Sequence, residues 1–298
     1  MATAQPLVEA PLVVIVGPTA SGKTGLAVQI AKQFNGEIIS ADSRAVYKDL
    51  TIGTAKPTVE DRQGVPHWGI DLVSPDMRFT VADFKSYALE KINEIRARGH
   101  VPIIAGGTGL YVDAVLYDFE FSARSADTKK RDELMEQPLE FLHKYCIENN
   151  ILLPTNDKNK RHVVNNILRE GRPLKRKNKL DGNTIVVGIA TENKILRDRI
   201  EQRASAIVTE NTINEATQAA EKYGWDNEAM TGNVYPLIRY YVHGLMTHDE
   251  LIQKFITSDW RLAKRQLTWL RRNEHIHWLP LDEAYTYIAR ELDNLNNL

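Results

Sequence analysis

The stretch of sequence from Leu12 to Thr24, LVVIVGPTASGKT, decides the fold of this chain. Its first five residues are apolar and mostly β-branched, which is typical of a buried parallel strand. The following residues match the pattern GxxxxGK[ST], in which a glycine-rich turn wraps a phosphate group with backbone N–H groups and leads into a helix. The sequence therefore predicts a strand, a phosphate-binding loop and a helix in that order.

The same loop supplies the groups that bind an anion. The start of the helix carries a partial positive charge, Lys23 adds a full charge, and Thr24 offers a hydroxyl group to Mg²⁺. We therefore expect this loop to bind a di- or triphosphate. The predicted phosphate-binding residues are Gly17, Pro18, Thr19, Ala20, Ser21, Gly22, Lys23 and Thr24.

Outward from this loop, helical and strand-like patterns alternate. Helical spacing of apolar residues alternates with short β-branched runs, which predicts an α/β protein with a P-loop NTPase-like parallel sheet flanked by helices. Strands are predicted at 12–16, 37–40, 101–105, 184–189 and 275–279, and helical stretches at 24–34, 83–97, 196–223 and 248–272. Residues 117–183 are charged and helix-like, so we expect a helical insertion there, within a catalytic core made of residues 1–116 and 184–298.

Composition restricts the class of protein. The 298 residues are 43% apolar, which is enough for a large core, and 38 Lys and Arg nearly balance 39 Asp and Glu. No apolar stretch approaches the length of a membrane span, and residues 1–11 lack the pattern of a secretory signal. The lone Cys146 excludes an internal disulfide and a cysteine-ligated zinc site. We expect a cytoplasmic protein with no membrane association.

A carboxylate follows the second predicted strand rather than the strand at 101–105. P-loop kinases and NTPases need an Asp at the end of such a strand to hold Mg²⁺, but here Gly106-Gly107-Thr108-Gly109 follows. The carboxyl ends of neighbouring parallel strands open on one crevice, so Asp42, Thr108 and the phosphate-binding loop should face each other. That arrangement suits a reaction in which diphosphate leaves and a base takes a proton. A turn or helix-capping role is the alternative for Asp42.

Several blocks, in order along nearly the whole chain, resemble those of the tRNA dimethylallyltransferases, which alkylate N6 of adenosine 37 beside the anticodon. The blocks are GPTASGKT at 17–24, Ser40-Ala41-Asp42-Ser43-Arg44 with Val46-Tyr47, Ile52-Gly53-Thr54-Ala55-Lys56-Pro57, GGTGLY at 106–111, Arg199-Ile200-Glu201-Gln202-Arg203, and Leu262-Ala263-Lys264-Arg265-Gln266 with Thr268-Trp269.

The resemblance implies a role for each matching residue. Asp42 would be the general base, and Thr19, Lys23 and Arg203 would hold the diphosphate of dimethylallyl diphosphate, with Mg²⁺ at Thr24. The helical insertion would bind the anticodon stem-loop of tRNA. The enzyme is expected to be a monomer. The residues implied in tRNA contact are Asp42, Ser43, Arg44, Ala45, Thr108, Arg131, Arg161, Lys264 and Arg265.

The chain departs from the family pattern at three places that the resemblance assigns to nucleic-acid contacts. Ala45 stands where glutamine is common, and Asn165 stands where arginine is expected. Val234-Tyr235-Pro236 stands in place of a Gly-Tyr-Lys or Gly-Tyr-Arg element. Eukaryotic relatives often carry a C-terminal zinc finger, which a single cysteine excludes. We therefore expect a bacterial-type enzyme whose catalytic residues are intact.

Two clusters of cations are candidates for gripping a phosphate backbone. The segment from Lys158 to Lys179 has only Glu170 as an acid, against Lys or Arg at 158, 160, 161, 169, 172, 175, 176, 177 and 179. The second cluster lies on one predicted helix and consists of Arg261, Lys264, Arg265, Arg271 and Arg272. Ordinary solvated surface is the alternative for each cluster.

Three other functions remain open at this point. The phosphate-binding loop alone favours a small-molecule kinase that uses ATP. An isopentenyltransferase acting on free AMP, ADP or ATP would share the catalytic core, although the basic insertion favours a macromolecular substrate. The third is a non-catalytic RNA-binding protein with a vestigial loop.

Overall fold

Six parallel strands form one sheet. The computed structural model describes residues 10–121, 128–177, 180, 182–232 and 234–296. The strands are β1 (Leu12–Val16), β2 (Gly36–Ser40), β3 (His67–Trp68), β4 (Val101–Gly106), β5 (Thr184–Ile189) and β6 (His277–Leu279). Their order in the sheet is β3-β2-β4-β1-β5-β6, with parallel pairing throughout.

Helices flank this sheet, which confirms the predicted fold class. The order of strands reverses at β1, because β4 and β2 lie to one side and β5 to the other, and such a reversal is where α/β sheets bind ligands. The helices are α1 (Lys23–Gln33), α2 (Val59–Arg62), α3 (Val81–Ala97), α4 (Gly109–Leu116), α5 (Thr128–Glu136), α6 (Leu139–Glu148), α7 (Lys160–Leu168), α8 (Asn193–Ile207), α9 (Glu210–Tyr223), α10 (Tyr235–Val242), α11 (His248–Leu270) and α12 (Leu281–Asn296).

Apolar residues of the strands alternate between two buried faces. Val13 and Ile15 of β1 pack in one cluster with α1 and with Ala284 and Ile288 of α12. The alternate residue, Val14, is buried as well. Burial of both faces explains why these strands are continuous apolar runs rather than alternating ones.

The structure contains five helices and strands that were not predicted, α2, α4, α10, α12 and β3, and it divides one predicted helix into two. The helix α12 was not predicted, although its buried residues at 284, 288 and 292 recur at helical spacing. The strand β3 has two residues, too few for a periodic pattern, and α10 has eight. The single stretch predicted at 196–223 is two helices, because Thr209 starts α9 by accepting a hydrogen bond from the N–H of Thr212.

The chain divides into two compact units. One comprises Met1–Val115 and Asp181–Leu298 and contains the sheet, and the other comprises Leu116–Leu180. In the second unit α5, α6 and α7 surround their own apolar cluster, which includes Leu142, Cys146 and Val163. In the first unit a further cluster joins the segment after β2, including Tyr47, to helices α8 to α11.

Candidate active site

The loop between β1 and α1 has a strained backbone that its sequence permits. Gly22 has a φ of 89° and Ala20 a φ of 61°, both in the left-handed region. A side chain at Gly22 would also meet Leu281, since its Cβ would lie 2.9 Å from Leu281 Cδ2. Gly22 starts α1 without a side-chain cap, so the first N–H groups of that helix are left for an anion.

Lys23 lies half-buried at the start of α1, and its Nζ donates a hydrogen bond to the carbonyl oxygen of Pro18 at 3.0 Å. Burial lowers the pKa of Lys23 to about 8 against the opposing effect of Asp42, and Arg203 lowers it further. The ammonium group therefore interacts electrostatically with Asp42, the predicted base, and with Arg203, which is predicted to bind diphosphate. The fold brings these three residues together.

Thr19 is held by residues from two distant helices. Its Oγ1 accepts a hydrogen bond from Arg203 NH1 of α8 at 2.7 Å. Its backbone N–H donates to Gln266 Oε1 of α11, also at 2.7 Å. Thr19 and Arg203 are thus in contact, as their predicted shared role requires. Gln266 received no role from the sequence, although it lies in one of the blocks that carry the resemblance.

Hydrogen bonds join the end of β2 to the end of β4. The hydroxyl oxygen of Thr108 accepts from the backbone N–H of Ser43 at 3.0 Å, and the N–H of Thr108 donates to the carbonyl of Ala41 at 3.1 Å. Asp42 Oδ1 accepts from the N–H of Arg44 at 2.8 Å, which is a turn-forming bond. Within the described residues Asp42 Oδ2 has no hydrogen-bond partner. The turn role and an available carboxylate oxygen therefore coexist in this residue.

Two glycines let α11 approach the loop that follows β4. A Cβ at Gly107 would lie 2.3 Å from Gln266 Nε2, and one at Gly109 would lie 2.1 Å from Trp269 Cδ1. The indole N–H of Trp269 donates to Asp113 Oδ2 of α4 at 2.7 Å. Helix α11 thus contacts both the phosphate-binding loop and the loop that carries Thr108.

Exposed cations lie along α11 and in the two residues that follow it. Lys264 and Arg265 are exposed, as are Arg261, Arg271 and Arg272. Lys264 lies over one face of the Trp260 ring, 5.1 Å from its centroid, and Arg197 of α8 lies 5.0 Å from the same centroid. Across the described part of the chain, none of these five cations, three in α11 and two directly after it, pairs with an acidic side chain.

Ala45 and Tyr235, two of the departures from the family pattern, are buried. Ala45 is 3% exposed, so the structure does not present its side chain at the surface. Tyr235 is fully buried, its hydroxyl donates to Glu215 Oε1 at 2.9 Å, and its ring lies where a Cβ at Gly53 would be. Arg44, beside Ala45, donates from NH1 to the carbonyl of Glu228 at 2.7 Å.

The cations of the insertion differ in their surroundings. Arg161 is exposed in the first turn of α7. Arg131 NH1 donates a hydrogen bond to Oδ1 of Asn165, the remaining departure from the family pattern. Asn165 therefore supplies an acceptor to Arg131, which is a predicted tRNA contact. Lys175 lies 3.6 Å from Glu120 Oε2, and Lys177 lies 3.2 Å from Asp118 Oδ2. Lys179 lies outside the described residues.

The described residues contain no group of three or more His, Cys, Asp or Glu side chains that could hold a metal ion. None of the helices in the described ranges is both long enough and apolar enough to cross a bilayer. Thr24, the predicted Mg²⁺ ligand, is exposed in the first turn of α1.

Comparisons with known proteins place the chain in a family. A sequence model described as IPP transferase matches residues 45–273. The chain is 39% identical to the tRNA dimethylallyltransferase of Acetivibrio thermocellus over 91% of this chain and 92% of that protein. It is 33% identical to the tRNA dimethylallyltransferase of Bacillus subtilis over 95% of this chain and 98% of that protein.

Solved structures agree. The crystal structure of the tRNA isopentenylpyrophosphate transferase of Bacillus halodurans matches with a TM-score of 0.73 and 34% identity, covering 97% of this chain and 99% of that one. A eukaryotic dimethylallyltransferase acting on tRNA shares the fold, with a TM-score of 0.75 at 23% identity over 91% of this chain and 74% of that one. This chain belongs to the IPP transferase family of tRNA-modifying prenyltransferases.

Proposed function

We propose that this enzyme transfers the dimethylallyl group of dimethylallyl diphosphate to N6 of adenosine 37, in the anticodon stem-loop of tRNA. The new bond joins N6 to the allylic carbon, the bond from that carbon to the diphosphate oxygen breaks with its electrons, and N6 loses a proton. The observation that carries this proposal is the junction of β1, β2 and β4, where Lys23 of the phosphate-binding loop interacts electrostatically with Asp42, whose Oδ2 has no hydrogen-bond partner in the described residues.

The diphosphate is bound by the loop together with Lys23 and Arg203. Ionisation of the allylic carbon puts growing negative charge on the leaving group, so cations placed beforehand stabilise the transition state more than the ground state. Arg203 is fixed by its bond to Thr19, which itself belongs to the loop. Thr19, Lys23 and Arg203 therefore both bind the donor and favour the departure of diphosphate.

Mg²⁺ fits this site only together with the substrate. Thr24 offers a single hydroxyl, and no acidic cluster accompanies it in the described residues. Mg²⁺ commonly keeps several waters and takes substrate phosphate oxygens as ligands, which makes a small protein contribution sufficient. When bound, Mg²⁺ supplies charge neutralisation to the leaving diphosphate. Thr24 would be its protein ligand.

Asp42 is the group that takes the proton. The exocyclic amine of adenine is a weak nucleophile, so alignment and proton removal must both contribute. The bond from the Arg44 N–H holds Oδ1, which leaves Oδ2 for N6. The target base must leave its stack to reach this crevice, as it does for other enzymes that act on nucleobases.

The exposed cations of α11, including Lys264 and Arg265, support a polyanionic partner. They lie on the helix that touches both site loops, and no acid of the described residues neutralises them. In the insertion, α7 begins with Lys160 and Arg161, where the helix dipole disfavours positive charge. Cations kept at an unfavourable position are consistent with a phosphate ligand there.

We also propose a monomer that acts in the cytoplasm. Within this chain the residues assigned to the donor site contact one another directly, and this supports a monomer. The sequence has a single cysteine and so no internal disulfide, which is usual for proteins of a reducing compartment. Light scattering of the purified protein tests the oligomeric state.

Incubation with labelled dimethylallyl diphosphate and either unmodified tRNA or AMP tests the acceptor, followed by mass spectrometry of the released nucleosides. Prenyl-adenosine at position 37 of tRNA, with little product from AMP, is the expected result. Product from AMP alone would identify an enzyme acting on free nucleotides. Transfer of phosphate from ATP, without prenyl transfer, would identify a kinase.

Asp42→Asn tests the base. Asparagine keeps the acceptor for the Arg44 N–H but cannot take a proton, so we expect kcat to fall by about 10²- to 10⁴-fold with little change in either KM. Asp76→Asn, which changes an exposed acid in a loop, should leave kcat unchanged. A fall of less than about tenfold in Asp42→Asn would remove Asp42 from this role.

A further inference from the structure

Asp259 of α11 is a buried acid that the sequence did not single out. It is 3% exposed, and its Oδ2 accepts a hydrogen bond from NH1 of Arg203 on α8. A carboxylate taken out of water is costly unless it is paired and hydrogen-bonded. The partner here is one of the residues that hold the diphosphate in the proposed function.

In the described residues, one of the three guanidinium nitrogens of Arg203 makes all of its hydrogen bonds. Both hydrogen bonds of Arg203 leave from NH1, to Asp259 and to Thr19 Oγ1. Nε and NH2 have no hydrogen-bond partner in the described residues. A guanidinium is planar and rigid, so two bonds at NH1 fix the orientation of the whole fork.

We propose that Asp259 is a positioning residue that orients Arg203, so that Nε and NH2 are free and aligned to bind the oxygen atoms of diphosphate. Asp259 does not touch the substrate and acts only through Arg203. The inference rests on the proposed function in assigning diphosphate to Arg203. It adds to Gln266 a second α11 side chain that supports the donor site, and none of the blocks that carry the family resemblance contains it.

The test measures binding of inorganic diphosphate with Mg²⁺ by isothermal titration calorimetry in a double-mutant cycle. Arg203→Ala should weaken binding by about 10- to 100-fold, as expected for hydrogen bonds to a charged group. Asp259→Ala should weaken it by about 3- to 30-fold, because the fork loses its orientation. In the Arg203→Ala background, Asp259→Ala should change affinity by less than about twofold, because the guanidinium through which Asp259 acts is already absent.

Matched variants separate positioning from charge and folding. Asp259→Asn keeps an oxygen acceptor and should recover most of the affinity that Asp259→Ala loses. Asp249→Asn removes an exposed acid from the first turn of the same helix and should have no effect. If Asp259→Ala does not fold, Asp259→Val, which is nearer to aspartate in volume and has no acceptor, replaces it in the cycle.

An equal loss in both backgrounds would overturn the inference, because a merely structural role is additive with Arg203→Ala. Unchanged or tighter binding in Asp259→Ala would also overturn it, as would a wild-type protein that binds no diphosphate. Failure of the proposed function is seen separately. It would appear as an absence of prenyl transfer to tRNA by the wild-type enzyme, while the binding cycle still decides the role of Asp259.

Discussion

At the scale of single residues, Lys23 should set the pH dependence of donor use. Burial lowers the pKa of its ammonium group to about 8, so the group is charged below that pH and loses its charge as the pH rises above it. We expect kcat/KM for dimethylallyl diphosphate to fall above about pH 8, since kcat/KM reports ionisations of the free enzyme. A pH–rate profile at saturating tRNA measures this.

Lys23→Arg is the control for that prediction. Arginine stays charged over the accessible pH range, so the variant should lose the alkaline limb even if its overall rate is lower. Lys23→Ala should lower kcat and raise KM for the donor, because the cation meets both bound and leaving diphosphate. An alkaline limb that persists in Lys23→Arg would assign the ionisation to another group.

At the scale of elements, the packing of α11 against α4 depends on Gly109. A methyl group there would lie 2.1 Å from a ring atom of Trp269, so Gly109→Ala should lower the free energy of unfolding by about 1–3 kcal/mol. Gly25, in α1, has open space where its Cβ would be. Gly25→Ala should raise the free energy of unfolding by about 0.5–1 kcal/mol. Urea denaturation of both variants checks the opposite signs.

A buried carboxylate joins β2 and β3 to α3. Glu37 is 2% exposed and accepts hydrogen bonds from Trp68 Nε1 at 2.6 Å, from Arg98 at 2.9 Å and from His100 Nδ1 at 2.7 Å. Burial acts to raise the pKa of Glu37, but the bonds from Arg98, Trp68 and His100 outweigh it and lower the pKa to about 2. The ionised form is therefore the one that stabilises the fold.

Glu37→Gln should lower the free energy of unfolding at pH 7 by about 1.5–3 kcal/mol, the range for hydrogen bonds to a charged group. A carboxyl whose pKa is lowered on folding stabilises the protein above its unfolded value of 4.5 and loses that contribution as pH falls toward about 2. The difference between wild type and variant should therefore shrink from pH 7 to pH 3. Denaturation at both values measures it.

Glu94→Gln is the control for Glu37. Glu94 pairs with Lys91 at 2.7 Å on α3 and lies 3.9 Å from Arg98 NH1, and such solvent-accessible pairs contribute little. If Glu94→Gln lowers the free energy of unfolding as much as Glu37→Gln does, the buried hydrogen bonds of Glu37 contribute no more than an exposed ion pair.

At the scale of the whole molecule, the net charge of −1 is not spread evenly, and two groups of exposed cations differ in how far acidic side chains offset their charge. The cations of α11 are unpaired in the described residues, whereas Lys175 and Lys177 face Glu120 and Asp118. Replacing Lys264 and Arg265 with alanine should weaken tRNA binding, and each lost phosphate contact should reduce the slope of log affinity against log salt by about 0.7–0.9. Titrations at several salt concentrations measure both quantities.

Lys175→Ala with Lys177→Ala is the comparison pair. Because carboxylates already offset both charges, their removal should weaken tRNA binding less and change the salt slope less. Affinity for diphosphate should not change in either double variant. If the Lys175 and Lys177 double variant loses more tRNA affinity than the Lys264 and Arg265 double variant, the insertion makes the main contacts with the phosphate backbone.

The sequence by itself determined the local features of this protein. The run from Leu12 to Thr24 specifies strand, loop and helix through neighbouring residues, and Asp42 and Thr108 follow strands whose parallel pairing brings their ends together. The blocks of residues along the chain also identified its family. Each of these inferences needs only periodicity, local spacing or the order of motifs, all of which are written along the chain.

Tertiary structure alone decided which distant groups meet. Gln266 accepts the N–H of Thr19 across 247 positions, and no local pattern marks Asp259 as the partner of Arg203. Charge counting within one segment likewise missed Glu120, which pairs with Lys175 from outside it. Such contacts depend on how complete helices and loops pack, because the burial that makes an acid or an amide seek a particular partner exists only after the chain has folded.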